Sequence, residues 1–323
     1  MSLQRLTQGP LTIGLELPLD NDWSQPGEAS RRRDDRPFGV PDLSAHLERA
    51  QLADQLGFRA LWLRDVPLYD PSFGDAGQVF ELFTYLGYLA ASTRQTLLGT
   101  AAAVLPLRTP WLVRKAAASV QHLSHNRLLL GVASGDRPVE YPLFGVPFEQ
   151  RGEAFRDAVA VLKGDADQRL DAGQALLPEA EQPPLLVAGL AQQRPDWVGQ
   201  HMDGWLAYPG TPDDHVRRVD LWRRVAGDKP YVSFIHLDLA ENPEEPPRRH
   251  RFGLRVGSQG LIQELTAMQA AGVNHIGLNL RRTQAPIEDT LQRLAAEVLP
   301  TFHHDAEASS SSTTQQDVTH APA

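Results

Sequence analysis

Residues 96–133 read TLLGTAAAVLPLRTPWLVRKAAASVQHLSHNRLLLGVA, and they contain one complete strand–helix–strand unit. The apolar run 96–104 predicts a buried strand, residues 110–123 show helical periodicity, and 127–133 predicts the next strand. Four apolar residues share one face of this helix, which we expect to pack on the sheet: Leu112, Ala116, Val120 and Leu123. Because a helix joins the two strands, they are expected to be parallel.

The same alternation continues in both directions from this unit. Apolar runs predict eight strands, at residues 11–19, 60–65, 96–104, 127–133, 184–189, 204–209, 231–239 and 274–280. Helical segments are predicted at residues 41–56, 78–92, 110–123, 149–163, 192–202, 212–226, 258–271 and 286–298. Eight such units predict a single-domain α/β fold, a (β/α)8 TIM barrel over residues 1–302. An open doubly wound sheet is the alternative, but no glycine-rich dinucleotide fingerprint follows the first strand.

Three segments fall outside this pattern. Residues 20–40 mix basic and acidic side chains, and we expect them to form an exposed loop. Residues 303–323 have almost no large apolar side chains, so a disordered tail is predicted, in which His303 and His304 have no expected role. The chain shows neither a secretory leader nor a membrane-spanning apolar stretch, so the expected location is the cytoplasm.

Composition excludes several chemistries. The 323 residues include 31 Lys and Arg against 40 Asp and Glu, a net charge of −9, which argues against general nucleic-acid binding. The absence of cysteine excludes disulfides, thiolate metal sites and cysteine nucleophiles. The histidines show neither HxH nor HExxH spacing, so no metal site is expected.

In barrels of this kind the functional residues lie in the loops that follow the strands, so the candidate site residues are expected in a few short segments. The small residues from Gly99 to Ala102 leave a flat wall that suits either a planar ring or tight barrel packing. In the turn that begins at Ser134, Arg137 can pair with Glu140 or with Asp136, and a salt bridge at the barrel rim is the alternative to a functional role.

Two further segments could bind an anion. Arg151 stands at a helix start, where its charge opposes the helix dipole, so it either meets an anion or is simply solvated. Residues 189–193 run from a strand end into a predicted helix start, a common anion site. On the strands themselves, His236 and His275 are interpreted as core or rim residues rather than ligands.

Residues 97–155 and 185–209 carry a resemblance to a known family. The first segment includes LGTAAAVLPLRTP and LSHNRLLLGVASGDRPVE, and the second reads LLVAGLAQQRPDWVGQHMDGWLAYP. Both resemble the luciferase-like flavin-dependent monooxygenases of the bacterial luciferase superfamily, in particular the luciferase-type oxidoreductase branch. The resemblance extends over roughly Leu11 to Pro300.

The resemblance implies a barrel that binds reduced FMN at the carboxyl ends of its strands. The flavin ring would lie against Ala101 and Ala102. The residues expected around the phosphate are Ser134, Gly135, Asp136, Arg151, Gly189, Leu190, Ala191, Gln192 and Gln193. The candidate catalytic residues are Asp65, Arg137 and Glu140. Asp65 falls where luciferase itself has a catalytic histidine, so light emission is not expected.

The implied activity is a monooxygenase or oxidoreductase that acts on paired donors, O2 and a small organic molecule. The resemblance also implies a separate flavin reductase that supplies the reduced FMN, and the absence of a nicotinamide fingerprint from the sequence fits this expectation. A homodimer is expected by analogy with the family. Two alternatives stay open: a deazaflavin-dependent oxidoreductase on the same fold, and a non-catalytic flavin-binding protein.

Overall fold

The structure is a computed structural model that describes residues 2–73, 80–166 and 170–303. The strands within these residues are, in chain order, β1 (Thr12–Glu16), β2 (Ala60–Leu63), β3 (Leu97–Thr100), β4 (Ala103–Val104), β5 (Leu128–Ala133), β6 (Leu185–Ala188), β7 (Gly204–Leu206), β8 (Tyr231–Leu239), β9 (Arg248–His250), β10 (Gly253–Val256) and β11 (His275–Asn279). The helices are α1 (Ser2–Leu6), α2 (Gln25–Arg33), α3 (His46–Gln55), α4 (Leu82–Ser92), α5 (Pro110–Leu123), α6 (Arg151–Lys163), α7 (Pro195–His201), α8 (Pro212–Ala226), α9 (Ser258–Ala270), α10 (Ile287–Glu297) and α11 (Leu299–Phe302).

Eight parallel strands close into a barrel. The order around it is β1, β2, β3, β5, β6, β7, β8 and β11, and β11 pairs with both β8 and β1. The closing β8–β11 ladder aligns His275 with Val232 and Asn279 with His236. This closure confirms the predicted single-domain (β/α)8 barrel, because an open doubly wound sheet would leave two unpaired edges.

The middle of the barrel is filled by two aromatic side chains and the glycines that make room for them. The Trp62 and Phe234 rings meet nearly edge to face, with centroids 5.8 Å apart. A Cβ atom on Gly99 would lie 2.3 Å from the Trp62 ring, and one on Gly277 would lie 2.5 Å from the Phe234 ring. Gly99 is therefore a packing residue, which separates it from the alanines that follow it.

Two histidines lie at the amino-terminal end of the barrel, His275 fully buried and His303 half-buried. The indole Nε1 of Trp62 donates to Nε2 of His275 at 2.9 Å, so Nδ1 of His275 carries the proton and faces the Thr12 hydroxyl at 2.7 Å. His303 accepts a hydrogen bond from the backbone N–H of Ile13 at 2.9 Å. The first residue of the predicted tail therefore contacts the barrel, and residues 304–323, with His304, lie outside the described residues.

Three desolvated histidines, His275 and His303 at this end of the barrel and His215 in α8, predict acid sensitivity. Burial lowers the pKa of His303 and of His215 to about 4, and it lowers the pKa of His275 well below its ordinary 6.5. The unfolded chain binds these protons near pH 6.5 and the folded chain does not. Their stabilisation is therefore complete above pH 6.5 and is lost as the pH falls toward 4, by roughly 3 kcal/mol for the fully buried His215.

Urea unfolding of the wild type and of His215→Gln at several pH values between 7 and 4 tests this expectation. The wild type should lose stability more steeply than the variant as the medium is acidified, because carboxylate titration is common to both. Equal slopes for the two proteins would contradict it.

Three sequence predictions are corrected near β1 and β3. Residues 20–40 are not simply an exposed loop, because they contain α2, whose Gly27 N–H is capped by the Ser24 hydroxyl at 3.1 Å. Helix α3 begins at His46 rather than at residue 41. The predicted strand 96–104 is split into β3 and β4, with a cis peptide bond between Ala101 and Ala102.

Two further corrections concern the barrel's surface. Strands β9 and β10, which were not predicted, follow β8, and β10 pairs in parallel with the carboxyl-terminal half of β8. The predicted inner face of α5 is wrong at both ends, since Leu112 is 67% exposed and Leu123 is 58% exposed. The buried face contains Val113, Ala117 and Val120. None of the helices within residues 2–73, 80–166 and 170–303 combines the length and the apolar character of a membrane span.

Candidate functional site

The carboxyl end of the barrel is open, in contrast to its filled middle. Strands β5 and β6 are buried except at their last residues, Ala133 and Ala188. In β8, only His236 is partly exposed. Side chains along a strand point alternately to the inside and the outside of the barrel. Counted from inward-facing core residues such as Phe234, the side chains of Ala133, Ala188 and His236 all point inward. An inward row that stays partly exposed at one end marks a cavity there.

This uppermost inward row contains one residue from each barrel strand or from the residues just after it. In barrel order the residues are Glu16, Arg64, Ala101, Ala133, Ala188, Tyr208, His236 and Asn279. The three alanines come from the neighbouring strands β3, β5 and β6 and form a flat wall, which we call the alanine wall. The other five side chains are polar and complete the circle, and we call them the polar arc.

The polar arc holds charges of both signs. Glu16 Oε1 lies 3.5 Å from Arg64 Nε, and the Glu16 side chain is nearly buried. Tyr208 is 64% exposed, yet the protein around it desolvates its hydroxyl and raises its pKa, and nearby Asp136 adds to the shift. Tyr208 thus stands at the solvent-exposed edge of the polar arc.

A second region, beside the alanine wall, joins the start of α6 to the loop after β6. Arg151 begins α6 with its guanidinium 3.7 Å from the Phe148 ring centroid, and it donates to the Phe148 carbonyl at 2.9 Å. The next residue, Gly152, has room only for hydrogen, because a Cβ there would lie 2.9 Å from Cβ of Gln192. Two segments that the sequence separates by about forty residues thus meet beside the wall.

The loop from Gly189 to Gln193 does not begin a helix as predicted, because α7 starts only at Pro195. Gly189, Ala191 and Gln192 have φ values of 58°, 47° and 61°, so the backbone turns in the left-handed region. Runs of this kind direct successive N–H groups to one side, a geometry suited to anions. Leu190, between them, is 36% exposed.

Gln193 has a structural role in this loop. Its side-chain nitrogen donates to the Gly152 carbonyl at 2.7 Å and to the Ala191 carbonyl at 3.1 Å, and its oxygen accepts from Arg156 Nε at 3.2 Å. The amide therefore fastens the loop to α6. Any anion at this loop would meet backbone N–H groups rather than the Gln193 side chain.

The turn after β5 is shaped around Tyr141. The Tyr141 hydroxyl donates to the Ser134 carbonyl, and a Cβ on Gly135 would lie 2.6 Å from the same hydroxyl oxygen. Gly135 also has φ of 76°, which favours glycine. Ser134 is buried and Asp136 is exposed, so the turn presents backbone and one carboxylate at the end of the alanine wall.

Asp65, the candidate at the end of β2, is engaged in an ion pair. Arg108 donates to it twice, from Nε at 2.9 Å and from Nη2 at 2.7 Å, and the backbone N–H of Val104 donates at 2.9 Å. Its side chain is 3% exposed. Asp65 thus links β2 to the segment that contains β4, and its neighbour Arg64 is the residue that faces the mouth.

Arg137 and Glu140 pair with each other, as one of the sequence interpretations proposed, but the pair is buried rather than at the rim. Their side chains approach to 3.2 Å and are 7% and 2% exposed. Burial raises the pKa of Glu140, against the opposing charge of Arg137, and the backbone of Leu68 hydrogen-bonds to the carboxylate. Arg137 also lies 4.4 Å from the Phe73 ring centroid. The pair joins the loop after β5 to the loop after β2.

Several residues of the mouth lie outside the sequence predictions. His236 is predicted to be a core or rim residue, and no role is predicted for Asn279, Trp23 and Arg281. The period-2 alternation of β8 and β11, counted from their buried centres, could have identified His236 and Asn279. No local signal identifies Trp23 and Arg281, because they meet only through the closure of the barrel.

Comparisons with known proteins agree with this architecture. A family model described as luciferase-like monooxygenase matches residues 21–318. An uncharacterized protein of Mycobacterium tuberculosis is 28% identical over 228 residues, which cover 62% of this chain and 79% of the relative. The F420-dependent glucose-6-phosphate dehydrogenase of Beutenbergia cavernae is 35% identical over 130 residues, 39% of this chain and 37% of that protein.

Solved structures show the same fold at low sequence identity. The monooxygenase RslO1 of Streptomyces bottropensis superposes with a TM-score of 0.68 at 19% identity, covering 90% of this chain and 99% of that one. The oxygenating constituent of 3,6-diketocamphane monooxygenase from Pseudomonas putida, in complex with FMN, gives a TM-score of 0.63 at 13% identity, covering 90% and 98%.

Proposed function

Because the chain belongs to the luciferase-like monooxygenase family, we propose that it is a flavin-dependent oxidoreductase that uses reduced FMN and O2 on a small organic substrate. When bound, reduced FMN supplies the electrons with which O2 is activated. The observation that carries the proposal is the division of the barrel mouth into the alanine wall and the polar arc. A planar ring on the wall would face polar side chains that can position a substrate and move protons.

The residues of the mouth fit the ring of a flavin. Ala101, Ala102, Ala133 and Ala188 present only methyl groups, so a planar ring can lie against the strands without displacing side chains. Gly135 and Ser134 continue this surface toward α6, where a larger residue than glycine would strike Tyr141. A flavin ring needs a surface from which no large side chain projects, and these residues provide one.

The phosphate end fits as well. Helix α6 begins without a side-chain cap, its first residue is Arg151, and the left-handed loop at 189–192 lies against Gly152. An uncapped helix start, a guanidinium and a turn of backbone N–H groups all favour a dianionic phosphate. Such a local site compensates the net charge of −9 of the chain.

The wider assignments follow from the family and the sequence. A separate flavin reductase would supply reduced FMN, and the enzyme would act on paired donors. We also propose a homodimer and a cytoplasmic location. Among the candidate catalytic residues, Asp65 holds the loops around the mouth through Arg108, and Arg137 and Glu140 do so as a buried ion pair. Nε and Nη1 of Arg137 and Oε1 of Glu140 have no hydrogen-bond partner among the described residues, so this pair has hydrogen-bonding atoms left for a ligand.

Anaerobic titration of the purified protein with photoreduced FMN tests the proposal. We expect saturable binding, and we expect Arg151→Gln to weaken it by about tenfold or more, because a charge-assisted hydrogen bond contributes roughly 1.5–3 kcal/mol. Arg224→Gln on α8 is the matched control, since the Arg224 side chain is 68% exposed and lies away from the loop 189–193. If neither reduced FMN nor a deazaflavin binds at saturating concentration, the proposal is wrong.

A deazaflavin is the second candidate cofactor. It is favoured by the identity of 35% with an F420-dependent dehydrogenase over 130 residues. The same titration with reduced F420 separates the two candidates. Tighter binding of F420, together with turnover that consumes no O2, would assign the chain to the deazaflavin-dependent enzymes.

A further inference from the structure

A group of cationic and aromatic side chains lies at the carboxyl end of β1 and β11. Trp23 follows β1, and its backbone N–H donates to the Arg281 carbonyl at 2.8 Å, so the loops after the first and last strands are joined. The Arg281 guanidinium lies 4.6 Å from the Trp23 ring centroid, and that of Arg282 lies 5.8 Å from it. One indole thus has two guanidinium groups around it.

The acids of this region are already engaged with arginines. Asp20 pairs with Arg281 through contacts of 2.7 and 3.1 Å, and both side chains are almost fully buried. Asp22 pairs with Arg36 through contacts of 2.6 and 3.1 Å. Within the described part of the chain, Arg282 has no ion-pair partner. The surroundings of Trp23 therefore hold one cation more than the acids there neutralise.

Three donors around Trp23 are buried and have no acceptor among the described residues. They are Nε1 of Trp23, Nη1 of Arg281 and Nε of Arg282. Buried donors without acceptors are rare in native proteins, and an unfilled ligand or ion site is one reason for them. Because all three groups donate, the missing partner must be rich in acceptor oxygens. A carboxylate or a phosphate has this chemistry.

An aromatic row leads from these donors to the barrel mouth. The His236 ring lies 5.7 Å from the Trp23 ring, and the Phe252 ring lies 5.8 Å from the His236 ring. His236 belongs to the polar arc, and Phe252 is 41% exposed. Arg251 lies over Phe252 at 4.7 Å. Successive rings in this row are inclined to each other by 45° and 65°, so an aromatic group can pack here against both ring edges and ring faces, across the mouth from the alanine wall.

We propose that Trp23, Arg281 and Arg282 form an anion subsite for the substrate, and that the planar body of the substrate lies along His236 and Phe252. The substrate class is thus an organic anion with an aromatic or similarly flat body. This proposal rests on the proposed function, because it places the substrate on the polar arc and the cofactor on the alanine wall.

Calorimetric titration of the full-length protein with benzoate, phenyl phosphate and benzyl alcohol tests the subsite. Benzoate or phenyl phosphate should bind and the neutral alcohol should not, and comparison of the two anions distinguishes a carboxylate site from a phosphate site. Arg282→Met should weaken anion binding by about tenfold, since it removes a charge-assisted hydrogen bond. Trp23→Phe keeps an aromatic ring but removes the indole N–H donor, and it should weaken anion binding by a few-fold.

Arg224→Met on α8 is the control, because the Arg224 side chain is 68% exposed, and it should leave binding unchanged. Anions that bind no better than benzyl alcohol overturn the subsite, as do unchanged affinities in both Arg282→Met and Trp23→Phe. Titration of the same samples with reduced FMN and F420 keeps the two proposals apart. Anion binding without cofactor binding rejects the proposed function alone, and cofactor binding without anion binding rejects the subsite alone.

Discussion

Replacing Ala133 by phenylalanine should lower the affinity for reduced FMN by about 100-fold or more, with the fold retained. Ala133 is the last residue of β5, partly exposed, in the middle of the alanine wall. A benzyl group there would project into the open mouth and occupy the plane that a flavin ring needs. A 100-fold loss corresponds to about 2.7 kcal/mol, comparable to the effect of overfilling a packed site.

Fluorescence titration under anaerobic conditions measures this effect, with thermal unfolding as the check on the fold. Ala267→Phe on the exposed face of α9 introduces the same side chain away from the mouth and should bind FMN as the wild type does. Wild-type affinity in Ala133→Phe would show that the ring does not lie on the alanine wall.

Replacing Asp65 by alanine should destabilise the protein by about 3–5 kcal/mol. The change leaves the Arg108 guanidinium without its buried partner and leaves the Val104 N–H without an acceptor. Breaking one side of a buried pair costs far more than the intact pair contributes, because a charge is left in a poorly solvated site. The remaining contact of Arg108, with Glu81, is at the surface and compensates little, since the Glu81 side chain is 51% exposed.

Urea unfolding of Asp65→Ala, followed by circular dichroism, measures this loss. Asp196→Ala provides the comparison, since its pair with Arg194 is exposed at both ends and should cost less than about 1 kcal/mol. Adding Arg108→Met to Asp65→Ala should restore part of the stability, because it removes the uncompensated charge. If Asp65→Ala lowers the free energy of unfolding by less than about 1 kcal/mol, the ion pair is not structurally important, and a catalytic role of the carboxylate is favoured instead.

The eight-stranded barrel could be predicted from the sequence, whereas α2, β9 and β10 could not, and the candidate site could be predicted only in part. The alternation of strand and helix patterns repeats eight times, and each pattern can be read from neighbouring residues in the sequence. The small side chains at 101 and 102 also indicated a flat wall. The contribution of Ala133 and Ala188 to the same wall depends on the register between β3, β5 and β6, which no local pattern contains.

Partners distant in the sequence account for the remaining differences. Asp65 looked like a catalytic candidate because its position at a strand end was visible, whereas its pairing with Arg108 was not. The segment at residues 20–40 looked like a solvated loop because its charges are dense. Asp20 and Asp22 are nevertheless buried, because Arg281 and Arg36 neutralise them.

Hydrophobic periodicity and strand–helix alternation are properties of neighbouring residues, so the barrel and the end of it that carries the loops of interest can be predicted from the chain alone. Which strand-end side chains face one another depends on the folded barrel. Closure of β11 against β1 and β8 brings Trp23, His236 and Arg281 together from three distant segments. A contact of that kind depends on the register and shear of the whole sheet, so it exists only once all eight strands are in place.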